Sequence, residues 1–307
     1  MNYDENFIKE EIRCDFTVTA QRKKVWFVEL EILKKFDEVC KKHQLPYFAE
    51  YGTLLGAVRH HGFIPWDDDI DIVMFRDDYA RFQKIAPEEF KEPYFYQDSY
   101  NDHQIWAFSK IRDSRTSAIE FPDFPVEFHQ GIFIDIHPLD DAPDGSAYSQ
   151  SLLEMKREIW MTIAEPETIL RHLQQGAKLL LAPDILYDLL ALPIRERFRQ
   201  FEDFNLSNFG KSENVDFITR SICTPDRKSQ KREWFMDAVR MPFEYTNIPA
   251  PVCYDEVLRT HYGKKYHICQ KSPSAHNQIF IDPDTPYTYY MQNKDKMNEK
   301  IKSGIYI

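Results

Sequence analysis

Four aspartates stand within five positions of this chain, Asp67, Asp68, Asp69 and Asp71, and the apolar residues Ile72, Val73, Met74 and Phe75 follow directly. Successive side chains of a β-strand alternate faces, so a strand over residues 69–75 sends Asp69 and Asp71 to one side while Ile70 and Ile72 anchor the other in a core. Like charges this close repel, and partly desolvated carboxylates are costly unless a cation or a hydrogen-bond donor offsets them. A solvated acidic loop suffices for Asp67 and Asp68. For Asp69 and Asp71 the spacing points instead to a shared hard divalent cation, Mg²⁺ with Mn²⁺ as the alternative. Such ions take oxygen ligands and complete their shells with water and substrate phosphates. Asp135, in GIFIDIHPLD, is the best-placed third carboxylate, flanked by Ile134 and Ile136 on a strand of its own.

Gly52 and Thr53 follow the strand-like PYFAEY and open a helix, an arrangement that aims backbone N–H groups and a hydroxyl at an anion. Arg59 on that helix, and Lys110, Arg112 and Arg115 in SKIRDSRTSA, could neutralise the same phosphates. Lys110 and Arg112 are the preferred pair because they alternate onto one strand face. His60, His61, His137 and His276 form no HExxH-type zinc pattern. His137 shares a strand face with Asp135, and a structural hydrogen bond is its simplest reading.

The elements that must carry these residues are legible in the pattern. Val25, Val28, Ile32, Phe36 and Val39 recur at three and four, which predicts an amphipathic helix over 20–43, ended by Pro46. A strand-like stretch over 46–51, a short helix over 52–59, the strand over 69–75 and a helix over 77–85 capped by Asp77 or Asp78 come next. Further strands are expected over 94–97, 105–112, 116–120 and 131–137. After Asp144-Gly145 the character turns helical, most clearly over 149–163 and 167–181, and the tail returns to a hairpin and a short helix near 254–262. The expectation is an α/β (α+β) fold: a catalytic core over 1–144, a mainly helical region over 145–234, and a C-terminal segment over 235–307 that packs back on the core.

Length and composition bound the function. The 307 residues are 43% hydrophobic, 29% charged and 15% aromatic with only 9 Gly, which suits a chain that folds. A net charge of −11 disfavours binding that rests on nucleic-acid phosphates. Five widely spaced cysteines without a CxxC pair read as reduced thiols of the cytoplasm. The acidic start MNYDENFIKEEIRCDF does not suit an export signal. The apolar stretch over 177–198 is broken by Pro183, Asp184, Asp188 and Pro193, short of the roughly 20 residues that span a bilayer. It reads as a helical hairpin, with 179–192 the candidate for peripheral contact at the inner face of the membrane.

The segment YFAEYGTLLGAVRHHGFIPWDDDIDIVMFRDDY, residues 47–79, resembles the signature of the LicD family, the phosphocholine transferases related to fukutin. KKFDEVCKKHQ before it, and SKIRDSRTSAIE, GIFIDIHPLD and YDEVLRTHYGKKY after it, resemble the family's other blocks in the same order. The resemblance implies a nucleotidyltransferase-like mixed sheet flanked by helices, with Gly52 and Thr53 at the helix start, Asp69 and Asp71 as the paired acids and Asp135 as the third. It adds Asp67 to the metal site and His276 to substrate binding. It further implies transfer of phosphocholine, or a related polyol phosphate, from a CDP-alcohol donor to a hydroxyl of a cell-surface glycan or its lipid-linked precursor. Two departures stand out: His137 replaces the aromatic residue of the family's DIFPLD block, and QKSPSAHNQ keeps only Lys271 and His276 of a basic, histidine-paired segment.

Three other readings use the same residues. A nucleotidyltransferase would move a nucleoside monophosphate from an NTP and release pyrophosphate. A binding protein for nucleotide or carbohydrate would hold a dead site, against which the intact Asp69, Asp71 and Asp135 argue. A phosphatase with an aspartyl nucleophile would place its acid pair after the buried strand, whereas here the apolar residues mostly follow the first acid.

Overall fold

The computed structural model describes residues 2–103, 106–120, 123, 128–217, 229–271 and 279–302. After a small hairpin of β1 (Glu11–Arg13) and β2 (Phe16–Val18) comes α1 (Ala20–His43), capped by the Thr19 hydroxyl, which accepts from Arg22 N. Then follow β3 (Phe48–Ala49), α2 (Tyr51–His60), β4 (Asp71–Phe75), α3 (Arg76–Glu89), β5 (Tyr94–Gln97), β6 (Ser109–Asp113), β7 (Ser117–Ile119) and the long β8 (Ile132–Ala142). Four helices come next, α4 (Ala147–Ala164), α5 (Pro166–Gln174), α6 (Pro183–Ala191) and α7 (Ile194–Asn208). The chain continues through β9 (Asn214–Phe217), β10 (Gln230–Lys231), the hairpin of β11 (Ala238–Phe243) and β12 (Thr246–Pro251), and α8 (Tyr254–Tyr262). It closes with β13 (Phe280–Asp282), α9 (Tyr287–Gln292) and α10 (Lys294–Lys302). The result is the mixed α/β architecture the pattern implied.

Strand β8 is the spine of a seven-stranded sheet. One edge pairs in parallel with β4, from Asp71 opposite Asp135 to Phe75 opposite Leu139. Its other edge takes antiparallel β6 along Ile132 to Ile136 and antiparallel β9 along Leu139 to Ala142. Ile70, Ile72 and Met74, with Ile132, Ile134 and Ile136, are buried in one core with the apolar stripe of α1. Helices α4 to α7 close on a second apolar cluster built from Ile159, Ile163, Ile169, Leu186, Leu189, Phe198 and Phe201. Strands β9 and β10 join the sheet from within 145–234. The C-terminal hairpin is tied in by Glu244, whose backbone N–H donates to His61 O and whose carboxylate accepts from Phe63 N and Arg13.

Several boundaries differ from the pattern for physical reasons. The strand begins at Asp71, so Asp69 lies in the irregular segment before it. The expected strand over 46–51 shrinks to two residues because Tyr51, at φ +45°, turns the chain into α2. Neither Asp77 nor Asp78 caps α3. The helix starts at Arg76 directly off β4, and both acids lie in its first turn, where the helix dipole favours them. The strand expected over 131–137 runs on to Ala142 because β9 pairs with its second half. The helix expected to reach 181 stops at Gln174, before Gly176 at φ +67°.

Arg76 explains that abrupt helix start. Its guanidinium grips both oxygens of Asp140 at 2.7 and 2.6 Å, with the two side chains only 2% and 1% exposed. Burial works against the charge of Arg76, yet Asp140 and then Glu202 hold it well above its ordinary pKa. The pair locks the C-terminal end of β4 to β8 and thereby fixes the register upstream. Arg76→Ala leaves Asp140 buried and unpaired and is expected to lose about 3–5 kcal/mol of stability in urea unfolding; a loss under about 1 kcal/mol would show that the clamp is dispensable.

Candidate active site

The parallel register sets Asp71 of β4 directly beside Asp135 of β8, and His137 lies two residues further along the same face of β8. One ligand atom from each of these three side chains lies within 4.8 Å of the others. The Nε2 of His137 is 3.3 Å from Asp71 Oδ1, and its ring is held between Phe108 and Phe217, centroids 4.3 and 4.6 Å away. Lys110 of β6 reaches Asp135 Oδ1 at 2.9 Å, its ammonium 3.4 Å from the centre of the Phe133 ring.

The backbone of this site is held from three directions. Asp71 N–H donates to the Thr53 hydroxyl at 2.8 Å, Asp71 O accepts from Glu50 N at 3.1 Å, and Asp135 N–H donates to Ile70 O at 2.9 Å. Asp67, Asp68 and Asp69 form a second group whose carboxylate oxygens also lie within 4.8 Å of one another. Its position is set from α1, where Trp26 Nε1 and Arg22 both donate to Asp67 O, at 2.9 and 3.0 Å. A Cβ at Gly52 would lie 2.4 Å from Asp67 Oδ2, so any larger residue there would push the Asp67 carboxylate aside.

So much negative charge in one place has a cost. Burial, and then Asp67, Asp71, Asp68 and Glu29, push the Asp69 carboxyl well above the usual carboxylate range. Glu29 of α1, 2% exposed, is raised in the same way by burial and then by Asp68 and Asp67. The donor chemistry fits a divalent cation: oxygens alone at residues 67–69, and two carboxylates plus an imidazole at Asp71, Asp135 and His137.

The structure thus gathers Asp67, Asp69, Asp71 and Asp135 into two neighbouring groups. Other expected site residues are spent differently. The buried Thr53 hydroxyl accepts from Asp71 N–H. Arg59 donates to Tyr266 O, Ile268 O and His60 Nε2, tying the segment after α8 to α2. Lys110 and Arg112 do share a face, both lying over Phe133, but Arg112 is fully buried and bonded to Gln97, Gly131 O and Glu120. His276 lies outside the described residues.

Two residues escaped the pattern. Glu29 sits at the register of a core position between Val25 and Ile32, and a carboxylate on the buried stripe of a helix was the available signal. Glu50, wholly buried, accepts from Gln230 and pairs with His261, each at 2.6 Å. These partners are 180 and 211 residues away in sequence, and no local signal foretells them.

Residues 44–168 match the family model described as LicD/FKTN/FKRP, nucleotidyltransferase domain, a span that contains the acidic groups, Arg76, His137 and Asp140. The chain is 34% identical over 132 residues to the lipopolysaccharide cholinephosphotransferase LicD of Haemophilus influenzae, covering 42% of this chain and 48% of that protein. It is 47% identical over 58 residues to an uncharacterised protein of Rickettsia typhi, 19% of each chain. A similar protein of Rickettsia prowazekii is 41% identical over 73 residues, 23% of this chain and 27% of that one. The chain therefore spans about half the length of the Haemophilus protein and less of the other two.

The charge cluster makes stability depend on pH in a defined direction. Folded Asp69 keeps its proton to higher pH than the unfolded chain, whose aspartates titrate near about 4. Its contribution is present at low pH and is lost as pH rises through the folded pKa. Asp69→Asn removes that loss and is expected to raise the melting temperature of the cation-free protein at pH 8 by about 2–4 °C, with little effect at pH 4. Differential scanning calorimetry at both pH values checks this, and destabilisation at pH 8 would contradict it.

Proposed function

From the match of residues 44–168 to the LicD family we propose that this chain is a divalent-metal-dependent transferase. It moves phosphocholine, or a related alcohol or polyol phosphate, from a CDP-activated donor to a hydroxyl of a cell-surface glycan or its lipid-linked precursor. The observation that carries the reading is the pair of carboxylates, Asp71 and Asp135, held side by side across two parallel strands. The Haemophilus relative, whose name says that it transfers phosphocholine to lipopolysaccharide, supports the head group.

Asp69, Asp71 and Asp135, with Asp67 beside them, are the residues that would hold the cation. When bound, Mg²⁺ or Mn²⁺ supplies charge neutralisation at the donor's diphosphate, where negative charge builds up as the leaving group departs. Asp135, with Oδ1 steadied by Lys110, accepts the proton of the acceptor hydroxyl. The hydroxyl oxygen forms a bond to the phosphorus that carries the alcohol, and the bond from that phosphorus to CMP breaks. Lys110, buried at the edge of the site, adds a fixed positive charge.

No helix among the described residues is long and apolar enough to cross a membrane. Exposed Leu180, Ile185 and Tyr187 are suited to peripheral contact with a membrane that carries a lipid-linked acceptor.

The nucleotidyltransferase description of the matched domain favours a second reading, transfer of a nucleoside monophosphate from an NTP. Product analysis separates the two. With CDP-choline, CDP-ribitol, CDP-glycerol, CTP and UTP offered in turn with Mg²⁺ and a glycan acceptor, the proposal expects CMP from one CDP-alcohol and no pyrophosphate from CTP or UTP. Pyrophosphate release from an NTP would move the assignment to the second reading. Asp71→Asn and Asp135→Asn are each expected to cut turnover roughly 10²–10³-fold or more while circular dichroism stays unchanged.

A further inference from the structure

His137 was expected to be structural, yet its surroundings suit a different role. A charge-assisted hydrogen bond between imidazole and carboxylate is usually about 2.7–2.9 Å, and the His137 Nε2 to Asp71 Oδ1 separation is 3.3 Å. Two ligands at right angles, each about 2.1 Å from one ion, stand about 3 Å apart. The ring is 6% exposed, and its Nδ1 has no hydrogen-bond partner among the described residues. The ring packs against Phe108 and Phe217, and it offers a nitrogen within 4.8 Å of carboxylate oxygens of both Asp71 and Asp135.

We propose that His137 is a metal ligand, so that Asp71, Asp135 and His137 form a mixed carboxylate–imidazole centre that prefers a borderline first-row ion such as Mn²⁺ over Mg²⁺. Magnesium takes oxygen donors and gains little from an imidazole, whereas nitrogen donation strengthens binding of the later and softer ions. The inference rests on the reading of Asp71 and Asp135 as metal ligands given under the proposed function. It adds a nitrogen donor and, with it, the choice of metal.

The direct test loads the full chain with Mn²⁺ and records its electron spin echo envelope modulation, in which a coordinated imidazole nitrogen gives a ¹⁴N signature that a merely packed one does not. The wild-type protein should show that signature. His137→Phe keeps an aromatic ring between Phe108 and Phe217; it should bind Mn²⁺ without the ¹⁴N coupling and lose Mn²⁺ affinity by about tenfold or more, with Mg²⁺ affinity little changed. His137→Gln, which offers an amide oxygen, should also lose the coupling and guards against misfolding of the first variant. Bound Mn²⁺ without nitrogen coupling in the wild type, or coupling that persists in both variants, overturns the inference and leaves the proposed function standing. Failure of the wild type to bind Mn²⁺ while it binds Mg²⁺ overturns the inference alone, and failure to bind either ion overturns both.

Discussion

Asp71 and Asp135 are two carboxylates that repel one another, and a set of backbone and side-chain bonds holds them side by side. The parallel pairing of β4 with β8 creates the juxtaposition. The Arg76–Asp140 pair closes the downstream end of those strands, and the bonds from Asp71 to Thr53 and from Asp135 to Ile70 fix the upstream end. The apolar faces of the same strands supply the compensating burial through Ile72, Met74, Ile134 and Ile136. The backbone of the site is thus fixed mechanically, while burial and neighbouring acids push the carboxyls of Asp69 and Glu29 up.

The surrounding residues then divide into supports and lining. α1 serves as a support: Trp26 and Arg22 hold the Asp67 carbonyl, while Glu29 adds a buried carboxyl beneath the acidic loop. Phe108, His137, Phe217 and Tyr51 form a continuous row of ring contacts beside the acids, with His261 against Tyr51 at its far end. Such a row keeps the wall of the site rigid and apolar, so that charge placed at Asp71 and Asp135 acts in a medium poorer in water than a surface loop.

Much of this was legible in the sequence where the signal is local. The three-and-four spacing of Val25, Val28, Ile32, Phe36 and Val39 marks α1 to the residue, and the hairpin and helix of the tail appear as expected, with α8 at Tyr254–Tyr262. The aspartate run and the Asp135 strand marked the candidate site because acids embedded in apolar strands are rare without a reason. What escaped depends on contacts between distant segments. Arg76 meets Asp140 only in the folded chain, 64 positions later, and no local pattern links the two. The bond from Asp71 N–H to the Thr53 hydroxyl needs β4 in place, and Arg112 reads as a phosphate ligand until Gln97, Gly131 and Glu120 close around it. The contact of His137 with Asp71 follows only from the pairing of β4 with β8, which no local pattern specifies.

The central claim is that Asp71 and Asp135 share one divalent cation. Anomalous diffraction from crystals grown with Mn²⁺ addresses it directly. The account predicts a single strong manganese peak within coordination distance of both carboxylates, lost in crystals of Asp71→Asn. Manganese confined to the Asp67–Asp69 loop, or none at either group in crystals that diffract well, would contradict it.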